Sequence, residues 1–171
     1  IGVHDARKLI IRNSTLIGNP AAGKTDAIDL DGISGDSIVG NTISGYSDDG
    51  IDIGTNSSNI FVAENSISHC DMGISVGESS TVLALKNLCI HSNAGIQSHT
   101  GAVVDSRLNT LYANTYGVRA LHNEGEASSG GTIYVSSSII ASSVLGDLIQ
   151  VSNSQAFFDY SLSDSEVLPG I

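Results

Sequence analysis

The sequence predicts a single all-β body, a parallel β-helix of one chain with about six coils, and three observations carry that expectation. A short phrase of one or two polar residues, then Gly, then an apolar residue recurs down the chain. It aligns Ile28, Ile51, Ile74, Ile96 and Val118 in one column with steps of 23, 23, 22 and 22 residues, a period that belongs to stacked repeat architectures. A second column, Asn41, Asn65, Asn87 and Asn109, keeps the same register with steps of 24, 22 and 22. The composition agrees, with 19 Gly, two Pro, no Trp and 5% aromatic residues favouring short strands and tight turns over helices.

The units follow one another in order. Lys8 to Asn19 reads as an apolar strand and an Asn-rich turn, and a looser connection through Pro20 and Lys24 leads to the first phrase, Thr25 to Asp31. The second unit is Ser37 to Ile43 followed by Asp48-Asp49-Gly50-Ile51-Asp52-Ile53. The third runs from Asn59 to Val76, the fourth from Val82 to Ser98 and the fifth from Val103 to Ala120. A polar insertion from His122 to Gly131 precedes the sixth, Thr132 to Ile149, whose step of 30 from Val118 to Leu148 is long by about that insertion. Regular coils are thus expected over about residues 8–150 of one domain spanning 1–171, with 151–171 as a tail or capping strand over the exposed sheet edge.

Within each coil the Asn marks a bend, where it tolerates left-handed angles and its amide satisfies neighbouring backbone groups, so stacked copies are expected to form an internal ladder. Two residues later, Ile43, Ile67, Cys89 and Leu111 form an apolar core column. Cys70 and Cys89 fall in different phases and are expected as free thiols, Cys89 as a buried small hydrophobe.

Eighteen acidic against seven basic residues, a net charge of −11, disfavour nucleic acid and anionic lipid as partners. Apolar runs are too short for a membrane-spanning helix. The chain opens mid-phrase at Ile1-Gly2-Val3-His4, which reads as a piece of a longer protein with flanking domains; the oligomeric state is left open.

Stacked coils place equivalent residues about 4.8 Å apart, so the repeat alignment doubles as a contact map. Asp26 falls over Asp49, Asp29 over Asp52 and Asp48 over Asp71. With Ile28, Leu30, Ile51 and Ile53 inward, Asp29 and Asp52 point outward. Such carboxylate pairs share a proton, stay hydrated or bind a cation, and calcium, a hard ion taking several oxygen ligands, suits Asp29, Asp49, Asp52 and Asp71. The outward column continues through Ser75, Gln97 and Arg119, with Asp31 and His99 beside it. Asp29, Asp52, Gln97, His99 and Arg119 are therefore candidate contacts for sugar hydroxyls, and Tyr46, Tyr112 and Tyr116 candidate stacking rings. The alternative is that the aspartates and glycines are turn chemistry on a solvated face.

The repeats of residues 8–150 resemble the right-handed parallel β-helix of the pectate-lyase-like superfamily. That resemblance implies a right-handed coil and a polysaccharide or oligosaccharide ligand. Thr25-Asp26-Ala27-Ile28-Asp29 and Asp48-Asp49-Gly50-Ile51 further resemble two motifs of polygalacturonase-type glycoside hydrolases, which implies Asp26, Asp48 and Asp49 as general acid and water-activating base. The family's next motifs are replaced, with Met72 at the position of its His and Gln97-Ser98-His99 at that of its Arg-x-Lys. A lyase would need a cationic base, for which Lys24, Lys86, Arg107 and Arg119 are available. The tail is similar to stretches that follow such repeats in large secreted bacterial proteins, which implies a secreted or cell-surface location. Two functions stay open: a polysaccharide-active module using the Asp cluster with calcium, and a non-catalytic structural or adhesive spacer.

Overall fold

A computed structural model describes residues 1–122, 130–151 and 153–164. Within them the chain winds as a parallel β-solenoid of three seven-stranded sheets, and no helix occurs. The first sheet stacks Gly2–His4, Ile28–Asp31, Ile51–Gly54, Met72–Val76, Ala94–Ser98, Tyr116–Ala120 and Gly146–Gln150. The second runs from Ile10–Arg12 to Gln155–Asp159 and the third from Thr15–Ile17 to Leu162–Ser163. There are seven turns rather than about six. Gly2–His4 pairs with Asp29–Asp31 ahead of the regular phrase. Gln155–Asp159 extends the second sheet beside Thr132–Ser136, so the tail adds sheet to the end of the coil. The polar insertion lies largely outside the described residues, as does the end of the tail.

Both columns hold. Ile28, Ile51, Ile74, Ile96, Val118 and Leu148 are register partners from coil to coil, and the first five are fully buried. Ile43, Ile67, Cys89, Leu111 and Ile140 form the matching column of the third sheet. Each buried Ile or Leu removes side-chain surface worth about 1.5–3 kcal/mol from water. Both cysteines are free and buried, and burial pushes the thiol pKa of each upward.

The Asn ladder is continuous and buried. The Asn65 amide donates to Asn87 Oδ1 at 3.0 Å and to the Ile38 carbonyl at 2.9 Å, and the next copies repeat this. Seryl side chains finish the ladder, with Ser138 Oγ accepting from the Asn109 N–H and Ser161 Oγ from the Ser138 N–H. In one respect the bend differs from expectation. The left-handed residue is the one before each ladder position: Asn13, Gly40, Glu64, Lys86, Leu108, Ser137 and Tyr160 all have φ between 48° and 68°. The Asn therefore supplies hydrogen bonds while its neighbour takes the unfavourable angle, which persists because the stacked corner over-determines it.

Glycine in the repeated phrase has a different cause. A Cβ on Gly73 would come within 2.5 Å of the Gly95 carbonyl oxygen, one on Gly95 within 2.7 Å of that of Gly117, and one on Gly117 within 2.7 Å of that of Asp147. The coils stack too closely there for any side chain.

Replacing Asn87 by Ala strands the Asn65 N–H and the Val62 carbonyl, and is expected to lower stability by about 2–4 kcal/mol. Lys86→Gly, at φ 54°, is expected to change it by less than about 1 kcal/mol, in the stabilising direction. Thermal denaturation of the two variants measures both.

Candidate functional site

The phrase at each corner delivers a fixed set of side chains to the outer face of the first sheet. In Ile51-Asp52-Ile53 the isoleucines are buried and Asp52 faces out. Its register partners are Asp29 on one side and Ser75 on the other, followed by Gln97 and Arg119. Beside this column the solenoid carries a polar cleft of about 440 Å³. Asp29, Asp31, Asp48, Asp49, Asp52, Asp71 and Glu78 line it, together with Ser75, Gln97, His99 and Lys24. Gly54 and Gly77 line it as well. A Cβ on Gly54 would lie 2.7 Å from Asp31 Oδ1, and one on Gly77 2.4 Å from the His99 ring, so the absent side chains make room for these groups.

The carboxylates that converge are those of Asp26, Asp48 and Asp49, with one oxygen of each within 4.8 Å of the others. Of the candidate calcium ligands only Asp49 belongs to this trio; Asp29, Asp52 and Asp71 line the same cleft. Asp26 and Asp49 also tie the coils together. Asp26 Oδ1 accepts the Asp49 N–H at 2.8 Å, and Asp49 Oδ1 accepts the Met72 N–H at 3.1 Å. Asp71 Oδ1 accepts from the Asn93 amide at 2.9 Å. This corner ladder of carboxylates was not anticipated from the sequence, although the stacking of Asp26 over Asp49 contained its signal.

Crowding and burial set the electrostatics. Burial pushes the Asp49 carboxyl up to about 8, helped by the charges of Asp52 and Asp26, against the opposing Met72 N–H bond. Asp52 is pushed up to about 7, first by burial and then by Asp26 and Asp29, while a hydrogen bond from Ser75 partly opposes the shift. Asp26 is raised for the same leading reason. Around them, Lys24 Nζ stands 3.6 Å from Asp48 at the exposed rim. Asp31 pairs with His4 Nδ1 at 3.1 Å and accepts from the Thr55 hydroxyl at 2.9 Å.

Further along the column, Gln97 is only 8% exposed, and its Oε1 has no hydrogen-bond partner in the protein. His99 Nδ1 meets the Thr100 hydroxyl at 2.9 Å. Arg119 stands at the edge of the site, its guanidinium 5.2 Å from the Tyr116 ring centroid and 3.8 Å from Met72 Sδ. The other tyrosines are elsewhere, Tyr46 packed against the core and Tyr112 exposed on the third sheet.

The family model of the right-handed β-helix region matches residues 1–165. The chain belongs to that family. Among solved structures, the crystal structure of the periplasmic alginate epimerase AlgG is similar with a TM-score of 0.80 at 18% sequence identity, over 95% of this chain and 41% of that one. At that identity the likeness is one of fold, and this right-handed β-helix chain spans 41% of the AlgG chain's length. No curated protein matches it in sequence.

The raised carboxyl pKa values carry a stability consequence. The folded state of this right-handed β-helix chain holds protons on Asp49 and Asp52 at pH values where the unfolded chain has released them, so stability falls as pH rises from about 4 through about 8. Asp49→Asn keeps the acceptor for the Met72 N–H and removes the charge. It is expected to raise the melting temperature by roughly 2–8 °C at pH 8.5, corresponding to about 1–2 kcal/mol, and to change it little at pH 4.5. Melting curves of the two proteins at both pH values check the difference.

Proposed function

We propose that this chain is a carbohydrate-associated β-helix module that holds a polysaccharide along the acidic cleft of its first sheet, where the aspartates act on it by acid–base chemistry. The observation that carries the proposal is the convergence of Asp26, Asp48 and Asp49 within 4.8 Å at the end of a continuous polar column through Asp29, Asp52, Ser75 and Gln97. Carboxyl groups whose pKa lies near the working pH suit proton transfer. Asp49, protonated near neutrality, has its Oδ1 engaged by the Met72 N–H, which leaves Oδ2 to carry the proton towards a sugar oxygen. Asp26 and Asp48 are the adjoining bases, and Gln97, His99 and Arg119 lie where further sugar units would run. The fold likeness to a periplasmic alginate epimerase supports a carbohydrate ligand and an extracytoplasmic setting.

The same three carboxylates suit a divalent hard cation. Their oxygens are close together, burial raises the pKa of Asp26 and Asp49, and on deprotonation Asp26, Asp48 and Asp49 would hold calcium with the remaining oxygens supplied by water or ligand. When bound, the cation would neutralise the cluster and polarise an acidic sugar group.

A second reading is a structural spacer. It is favoured by the backbone N–H bonds that Asp26 and Asp49 accept from the following coil, which give both residues a structural task.

Incubation with a panel of neutral, acidic and amino polysaccharides, with and without calcium, distinguishes the two. Release of reducing ends or of unsaturated products is expected from at least one substrate, falling at least 100-fold in Asp49→Asn. No product and no binding across the panel would establish the spacer.

A further inference from the structure

The corner that follows the third sheet carries a pair of side chains that the acidic cleft does not use. His69 and His91 directly follow the register-matched strands Ser66–Ser68 and Leu88–Ile90, so they occupy the same position of adjacent coils. Both are exposed, and both take the left-handed angle, at φ 55° and 53°. Their N–H groups are held alike, that of His69 by the Ile90 carbonyl at 3.2 Å and that of His91 by the Tyr112 carbonyl at 3.4 Å. Matching backbones send the two side chains out side by side. The flanking residues of that column, Gly45 and Ala113, are too short to reach over them. Elsewhere His4 pairs with Asp31 and His99 with Thr100. Within the described residues, by contrast, no hydrogen bond or ion pair engages the ring nitrogens of His69 or His91, and the two rings lie against each other.

Paired imidazoles with free nitrogens suit a borderline divalent ion, zinc or copper(II), whereas hard calcium takes oxygen ligands. Two imidazoles that share a tetrahedral ion, each nitrogen about 2.0–2.1 Å from it, have ring centroids about 5 Å apart. Those of His69 and His91 stand 5.3 Å apart with their planes tilted by 35°. The torsion that turns an imidazole ring is broad, so rotation of each ring aims a nitrogen at a common point without moving the backbone. The net charge of −11 draws cations to the surface. We infer that His69 and His91 clip a zinc-like divalent ion across two adjacent coils, with water or an outside ligand completing its coordination. Neither histidine lines the acidic cleft or belongs to the Asp26, Asp48 and Asp49 trio, so this site is independent of the polysaccharide reading.

Isothermal titration of the intact chain with zinc chloride at pH 7.5, in excess calcium to occupy the carboxylates, tests it. One zinc ion per chain is expected to bind, at least tenfold more weakly in His69→Gln and in His91→Gln alike, and unchanged in His4→Gln. Saturating zinc is expected to raise the melting temperature of the native chain, as an ion that binds only the folded state does, and to leave that of the His69 and His91 variants where it was. Melting curves without zinc show that both variants fold. Electron paramagnetic resonance with copper(II) is expected to show two coupled nitrogens in the native chain and one in each of these variants. Zinc binding that survives both substitutions, or that is lost in His4→Gln instead, overturns the inference. Loss in only one of the two variants reduces the site to a single imidazole and overturns the pair. Absence of zinc binding in the presence of calcium overturns it as well.

Discussion

Every other property of this molecule depends on the hydrogen bonding that locks one coil in register on the next. Parallel strands alone would tolerate slippage, and a slip of one residue would turn the core columns out to solvent. The corners prevent it. At one corner the Asn41–Asn109 ladder, closed by seryl side chains, satisfies buried backbone groups of neighbouring coils. At another, Asp26 and Asp49 accept the N–H of the residue stacked above. The glycines of the repeated phrase let the coils approach to contact at that corner, which removes any alternative spacing.

Register then dictates the surface as firmly as the core. Because each outward position is repeated at the strand spacing, a charge that recurs in two neighbouring coils becomes a pair of like charges. The aspartates around Asp49 are such a repetition, and partial burial makes it costly: Asp49 and Asp52 hold protons near neutral pH. A spacer needs none of this, since asparagine would accept the same backbone bonds without charge, as it does at the other corner. The contrast between the neutral Asn ladder and the acidic one is the physical ground for assigning a chemical task to the second.

Much of the fold is legible in the sequence because the repeat reports a one-dimensional order. The Ile and Asn columns gave the stacking of coils directly, and with it the pairing of Asp29 with Asp52 and of Gln97 with Arg119. What escaped was non-periodic. In the first strand, Gly2–His4, the Gly-apolar pair falls out of phase, with Gly2 beside Asp29 and Val3 beside Leu30, and Phe158 puts a bulky aromatic residue in the column of Val135, Ser106, Ala84 and Val62, so the seventh turn was not visible. The left-handed residue before each ladder position varies from Lys86 to Leu108 to Tyr160 and leaves no signature. Within the site, register placed the aspartates on neighbouring coils, but which of them converge depends on side-chain direction. That brought Asp26 and Asp48 to Asp49 and left Asp29, Asp52 and Asp71 along the cleft, and turned Arg119 towards Tyr116.

On the proposed reading, the acidic face of the first sheet, and no other face, is where this right-handed β-helix chain meets a glycan. Backbone amide chemical shifts followed during titration with soluble oligosaccharides of the neutral, acidic and amino classes are the test. The account predicts perturbations concentrated in the segments around Asp49–Thr55, Asp71–Glu78 and Gln97–His99. Shifts centred instead on the stacked Tyr134 and Phe157 of the second sheet, or spread evenly over the surface, would contradict it.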